Sequence, residues 1–410
     1  MTNESTNKPI TRAKMMEAKL NSLLEITRAI NHNYSTTELL EIFENVLSHQ
    51  LNIGKLVLFS NSGGGWRCLL KYGMGDAVIK IDVVKELYHI KEITLMDFAP
   101  KATNHSFDIV VPVYHKDKPL AYVLIGDLNE EKIEMSPTIR HMPFIQTLTN
   151  IIVVAIENKQ LAKETIRQAA MKKELELAWE MQSMLFPSSL PNNNLLEIDA
   201  IYMPHQQVGG DYYDFIQLNE NEVAFCMADV SGKGVAAALL MSNFQANLRV
   251  LFNHTTSLTD LVNELNSKVM ASAKGEKFIT LFIAKYNMVT KILSYVNAGQ
   301  NPPLLLSDKS VSFLRVGCTG LGMFDELIKV KEGIVNLENG ATIICYTDGV
   351  VEVENENEED FGVERLRDLL TENSNMKMKD LNLLIKKTLI EHKGVKPYID
   401  DIALFSCRIR

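Results

Sequence analysis

The stretch VGGDYYDF, residues 208–215, sets two glycines ahead of two aspartates that bracket a pair of tyrosines. Glycine lets a backbone turn tightly. Carboxylates three residues apart converge or diverge according to whether the chain is turn or strand. The stretch reads either as a hairpin with solvated acids or as one wall of a metal site. Other aspartates weigh on that choice. Asp229 closes the apolar run VAFCMAD and leads into VSGKG, Asp348 closes TIICYTD before Gly349, and Asp400 and Asp401 precede IALFSCRI. A core strand that ends on a carboxylate beside glycine delivers that carboxylate to the rim of its sheet. One such aspartate is an ordinary turn former, but similar placements of Asp211, Asp229, Asp348 and Asp400 are hard to assign to turns alone. Crowded carboxylates repel, so acids that converge need a cation.

The ligand type then selects the metal. Oxygen donors with no paired His or Cys nearby suit Mg²⁺ or Mn²⁺ rather than zinc. Two such ions roughly 3.5–4 Å apart can share a bridging water, lower its pKa and aim it at phosphorus. Cys226 and Cys345 lie inside apolar runs and read as core, not as nucleophiles.

The 410 residues suffice for two or three domains with sizeable cores. The formal net charge of -9 leaves no basic excess for phosphates, which argues against nucleic acid as the main partner. Five scattered cysteines without a C-x-x-C pair argue against a disulfide framework and fit a reducing compartment. The first twenty residues lack the apolar core of a signal peptide. The longest aliphatic run, IIVVAI at 151–156, is too short to cross a bilayer. The expectation is a cytoplasmic protein without a membrane span.

Three segments follow from patterning, and the fold class they suggest is α+β. Residues 15–158 open with a helical pattern in which Leu20, Leu23, Leu24, Ile26 and Ile30 share a face, and Ser35–Glu38 (STTE) reads as a capping box. Strand-like KLVLFS, an NSGGGW turn and RCLLKYG come next, then two β-rich runs joined by a turn at Lys116–Pro119, and a closing helix. This order resembles a GAF domain, an antiparallel sheet with helices, although no cyclic-nucleotide signature is present and its ligand stays open. Residues 159–190 read as a charged helix whose stripe of Met171, Leu175, Ala178, Met181 and Leu185 ends at Pro187. The stripe either docks on its own domain or forms a parallel coiled coil joining two copies of the chain. Residues 191–410 alternate β-rich runs with helical ones.

In order, VGGDYYDF, MADVSGKG, LLMSNFQANLRVL, FITLFIA, NAGQNPPLLL, YTDGVVEVEN, FGVERL and IDDIALF resemble the bacterial PPM-type (PP2C-like) serine/threonine phosphatases of the RsbU/SpoIIE group. The resemblance implies an αββα sandwich over residues 191–410 with two Mn²⁺ or Mg²⁺ ions at one edge. It implies that Asp229 bridges both ions and that the Val230 carbonyl completes the second ion's shell. Asp348 and Asp400 would hold the first ion, and Asp211 would serve the second, directly or through water. Asp214, Lys233, Gly349 and Asp401 are supporting candidates: the adjacent acids orient loops or a bound water, and Lys233 meets substrate phosphate or stays solvated. Gln300 stands where members of the group carry histidine, a change expected to alter a local hydrogen bond only. The function implied is hydrolysis of phosphoserine or phosphothreonine by a bridging metal-bound water. The implied partner is a STAS-type anti-anti-sigma phosphoprotein, with control by the N-terminal sensor and a homodimer through the linker helix and sensor. The alternative is a docking module that keeps the fold for binding.

Overall fold

The central strands of this chain are buried at consecutive positions, as over 109–113, 223–228 and 402–407, because their sheets are covered on both faces. The edge run 65–72 is mostly exposed or half-buried. The computed structural model describes residues 7–62, 65–74, 81–95, 107–126, 137–252, 254, 257–308 and 310–410. The chain divides into two units, Met1–Ala169 and Ala170–Arg410.

The first unit contains α1 (Asn7–Asn31), α2 (Thr36–Asn45, continued by a π turn at Val46–Gln50), β1 (Lys55–Ser62), β2 (Gly65–Tyr72), α3 (Val83–Glu86), β3 (Thr94–Leu95), β4 (Ile109–His115), β5 (Lys118–Gly126) and the first part of α4 (Pro137–Ser183). Its antiparallel sheet runs β2-β1-β5-β4-β3. Leu56, Leu58, Val111 and Val123 face Phe43, Leu148 and Ile152 of the helices. Val57, Phe59, Tyr122 and Leu124 face a smaller cluster with Val83 and Leu87.

The capping box forms as read: Glu38 N–H donates to Ser35 Oγ at 3.2 Å, and Ser35 N–H donates to the Glu38 carboxylate at 2.6 Å. The apolar face of α1 is rotated from the expected one. Ile26 and Ala29 are buried, while Leu20 and Leu24 are exposed, because only part of the apolar surface has a partner. The β4–β5 turn is shorter than expected. Lys116 takes φ 55°, and Lys118 and Pro119 already belong to β5. In NSGGGW, Gly63 and Gly64 lie outside the described residues, and the flanking Ser62 and Gly65 pair across β1 and β2.

The helix read over 159–190 is the later part of α4, which starts at Pro137 and ends at Ser183. Met171 and Met181 of its stripe are exposed, and Leu175 and Leu185 are partly covered.

The second unit continues with β6 (Leu196–Met203), β7 (Tyr212–Gln217), β8 (Glu222–Val230), α5 (Val235–Phe252), α6 (Leu258–Ala273), β9 (Ile279–Asn287), β10 (Ile292–Ala298), β11 (Leu304–Ser307), β12 (Ser310–Phe313), β13 (Gly317–Cys318), β14 (Gly333–Asn336), β15 (Thr342–Tyr346), α7 (Asp348–Val351), α8 (Gly362–Glu372), α9 (Met378–Lys393) and β16 (Ile402–Ile409). One sheet runs β13-β10-β9-β8-β7 with β14 also on β10, and the other runs β12-β11-β15-β16-β6. Three cores define four layers. Helices α5 and α6 cover the first sheet through Met241, Phe244 and Leu265. The two sheets meet through Phe225, Met227, Phe282 and Phe405. Helices α8 and α9 cover the second sheet through Leu366, Leu381 and Ile385. This is an αββα sandwich.

Helix α5 alone among the described residues is long and apolar enough to cross a bilayer. Its apolar side is spent on the first sheet, where Ala237, Met241, Phe244 and Leu248 are buried. All five cysteines are unpaired.

Replacing Ser35 by Ala removes the hydroxyl acceptor of the capping box and should lower the stability of the first unit by about 1 kcal/mol. Denaturant unfolding followed by a probe in each unit should move one transition and leave the other in place; equal movement of both would contradict the assignment.

Candidate active site

Strand alternation decides which acids meet. On β8, Phe225 and Met227 face the inter-sheet core, while Ala224, Cys226 and Ala228 face the helices. Asp229 therefore continues the inter-sheet side at the strand's end. Tyr212 pairs with Ala228 and Thr280 pairs with Asp229. One residue before Tyr212, Asp211 stands level with Asp229, and their side chains are in hydrogen-bonding contact. The second sheet supplies the other acids, Asp348 just after β15 and Asp400 and Asp401 just before β16. The four acids expected as ligands are thus gathered at one open end of the sandwich.

The glycines of VGGD are demanded by close approach. A Cβ on Gly209 would collide with the Tyr202 hydroxyl and the Asp401 carboxylate, and one on Gly210 would lie 2.9 Å from the Val230 carbonyl oxygen. Asp401 holds the turn: its Oδ2 accepts from Gly210 N–H and its Oδ1 from His205 N–H, both at 2.7 Å. Gly349 has no room for a side chain because the Asp401 carbonyl lies against it.

Gathering these acids costs free energy in a desolvated place. Burial, then the charge of Asp229, raises the Asp211 carboxyl well above the usual range. Burial, then Asp348, pushes Asp229 up to about 7. Burial, then Asp400, raises Asp348, and burial raises Asp401 against the pull of the backbone N–H groups of His205, Gly210 and Asp211. Partners offset part of the cost. The Thr347 hydroxyl donates to Asp211 at 2.7 Å, and the Lys233 ammonium meets Asp400 at 2.8 Å while also donating to the Ile399 carbonyl.

Among the described residues, no three His, Cys, Asp or Glu side chains close on one point as a finished metal cage. The donor chemistry nonetheless fits a hard divalent cation, with clustered carboxylates, a neighbouring backbone carbonyl and one ammonium already drawn to Asp400.

Asp214 does not join this group. It lies three residues from Asp211 on a strand, so its side chain emerges from the opposite sheet face. There it is fully buried, takes Arg249 Nε and Nη2 at 2.8 and 2.9 Å, and accepts from the Tyr212 hydroxyl at 2.5 Å. The expectation that it serves loops or water at the site is corrected: it ties β7 to α5. The odd spacing could have revealed this, but nothing in the sequence points to Arg249 or to Thr347. Lys233 is exposed and paired with Asp400 at 2.8 Å. Gln300 accepts from the Thr280 hydroxyl next to Asp229. Tyr213 packs between Phe186 and Phe405.

The αββα sandwich with an acidic end has the fold of a PP2C domain. The SiaA-PP2C domain of Pseudomonas aeruginosa superposes with a TM-score of 0.54 at 20% identity, covering 60% of this chain and 99% of that one. Residues 219–410 match the family model described as Stage II sporulation protein E (SpoIIE). Phosphoserine phosphatase RsbU of Bacillus subtilis is 33% identical over 197 residues, which are 47% of this chain and 58% of the relative. Protein IcfG of Synechocystis sp. is 28% identical over 325 residues, 72% of this chain and 51% of the relative. The C-terminal unit thus has the fold of a PP2C domain and is similar in sequence to the SpoIIE model and to RsbU, and the chain spans about half the length of the curated relatives it matches.

Two outcomes follow from this geometry. Arg249→Met leaves the Asp214 carboxylate buried without its cation and should cost about 2 kcal/mol, discounted because the guanidinium is half exposed. Adding Asp214→Asn to that variant should recover part of the loss, a coupling that a double-mutant cycle in urea would measure.

The raised acids also set a pH dependence. The folded, metal-free protein binds more protons than the unfolded chain between about pH 4 and pH 7. The site's contribution to stability is thus fully present below about pH 4 and is lost as pH rises through the Asp229 value. After chelation, melting temperature should fall from pH 5.5 to pH 8 by more in the wild type than in Asp229→Asn. Identical profiles would remove the cluster as its cause.

Proposed function

We propose that this chain is a divalent-metal-dependent protein phosphatase acting on phosphoserine or phosphothreonine. The observation that carries the reading is the convergence of Asp211, Asp229, Asp348 and Asp400, from four separate chain segments, on one end of a PP2C-type sandwich. The names of the relatives RsbU and RsbP, both phosphoserine phosphatases, support the same chemistry.

In this reading Asp229, Asp348, Asp400, Asp211 and the Val230 carbonyl would hold two Mn²⁺ or Mg²⁺ ions. Asp229 would serve both, Asp348 and Asp400 the first, and Asp211 and Val230 the second. When bound, such ions neutralise phosphoryl oxygens and acidify a coordinated water. The chain's own residues prepare for this. Asp211 and Asp229, whose carboxyls are raised by burial and by neighbouring carboxylates, would give up protons on binding a cation. Lys233, exposed beside Asp400, would be the ammonium available to a phosphate oxygen. Thr347 and Asp401 keep Asp211 and its glycine turn in place throughout. Gly349 serves by letting Asp401 approach.

The substrate class proposed is a small STAS-type anti-anti-sigma phosphoprotein, in a cytoplasmic partner-switching pathway. The N-terminal unit acts as a GAF-like sensor, a reading supported by its five-stranded antiparallel sheet flanked by α1, α2 and α4. Exposed Met171 and Met181 on α4 support a homodimer through that helix.

Mn²⁺-dependent phosphate release from a phosphoserine peptide is expected, with Asp229→Asn lowering the rate by at least about 100-fold. Undiminished hydrolysis in that variant would sink the metal mechanism. A folded wild type that releases no phosphate from peptide or phosphoprotein would leave the docking-module reading in its place.

A further inference from the structure

The glycine turn that delivers Asp211 is gripped from two sides. Asp401 takes the Gly210 N–H. The other grip comes from the last turn of α4, where Gln182 donates its Nε2 to the Gly209 carbonyl at 2.6 Å and accepts from the Gly209 N–H at 3.2 Å through Oε1. Gln182 is 5% exposed, while its neighbours Met181 and Met184 are 70% and 77% exposed. One buried amide on an otherwise solvated helix end is thus spent on both polar groups of a single glycine. Phe186 fixes the same helix end against the site, with ring centroids 4.8, 5.7 and 5.0 Å from Tyr202, Tyr212 and Tyr213.

We infer that Gln182 is a positioning residue for the metal centre: it sets where Gly209 sits, and through the two peptide units that follow, where the Asp211 carboxylate stands. The inference rests on the metal-site reading above and adds the element that controls it. An amide is required chemically. Gly209 presents a donor and an acceptor in a buried place, and of the side chains long enough to reach both, glutamine's amide carries one of each. A glutamate would face the Gly209 carbonyl with a second acceptor, and a leucine would leave both backbone groups unpaired. A displacement of the end of α4 therefore acts on a ligand of the centre without touching substrate, and the effect is on metal occupancy before it is on catalysis.

The test uses the full chain. Calorimetric titration with Mn²⁺ should give Gln182→Leu and Gln182→Glu an affinity about 10- to 100-fold weaker than wild type, the range expected when the support of a ligand is lost. Met184→Ala should bind as wild type does. Hydrogen exchange should show a slow Gly209 amide in the wild type and a faster one in both variants. Excess Mn²⁺ should restore most of the phosphate release, which a general loss of packing would not allow. Wild-type Mn²⁺ affinity in both variants would overturn the inference. So would a fast-exchanging Gly209 amide in the wild type, a result that needs no variant to fold. A wild type that binds Mn²⁺ but releases no phosphate would sink the phosphatase reading, and weaker Mn²⁺ binding in the variants would still support this one.

Discussion

Like charges forced together in a desolvated place are the constraint on which the second unit depends. Asp211 is 2% exposed, Asp229 is raised by burial and then by Asp348, and Asp348 by burial and then by Asp400. A sandwich whose two sheets both end on carboxylates at one edge does not close that edge with more core. It closes it with fixed donors instead: the Thr347 hydroxyl, the Lys233 ammonium, and backbone N–H groups turned toward Asp401. Strain of this kind is tolerable because the three apolar cores hold the strands independently of the site.

The aspartates divide into distinct jobs that their chain positions alone would not separate. Asp400 and Asp401 are adjacent, yet one meets Lys233 at the surface and the other is a buried tie for the Gly209–Gly210 turn. Asp211 and Asp214 share one motif, yet they emerge from opposite faces of β7. Asp214 with Arg249 fixes α5 to the strand, so the helix that follows the SGKG loop is anchored to the same motif that supplies Asp211. Gln182 adds a third attachment to that motif, from α4. The first acidic motif is accordingly the most heavily braced segment of the site.

Much of this was legible in sequence. The strand-end aspartates, the glycines beside them and the helices α5, α6, α8 and α9 are local patterns, and strand period and helical stripe encode local patterns directly. The capping box at Ser35 was legible for the same reason. Less legible was the side of α1 that would be buried, since Leu20 and Leu24 are as apolar as Leu23 and only the neighbouring elements choose among them.

By itself the sequence determined the layered α+β architecture and the acidic, oxygen-donor character of the site, because these depend on residue type and period. Tertiary structure alone decided which acids face one another, that Lys233 is engaged by Asp400, and that Arg249, Thr347 and Gln182 brace the motif. Their separations from the residues they touch are 35, 136 and 27 positions. Contacts across such intervals leave no periodic trace; they exist only once the sheets have stacked and the helix end has docked.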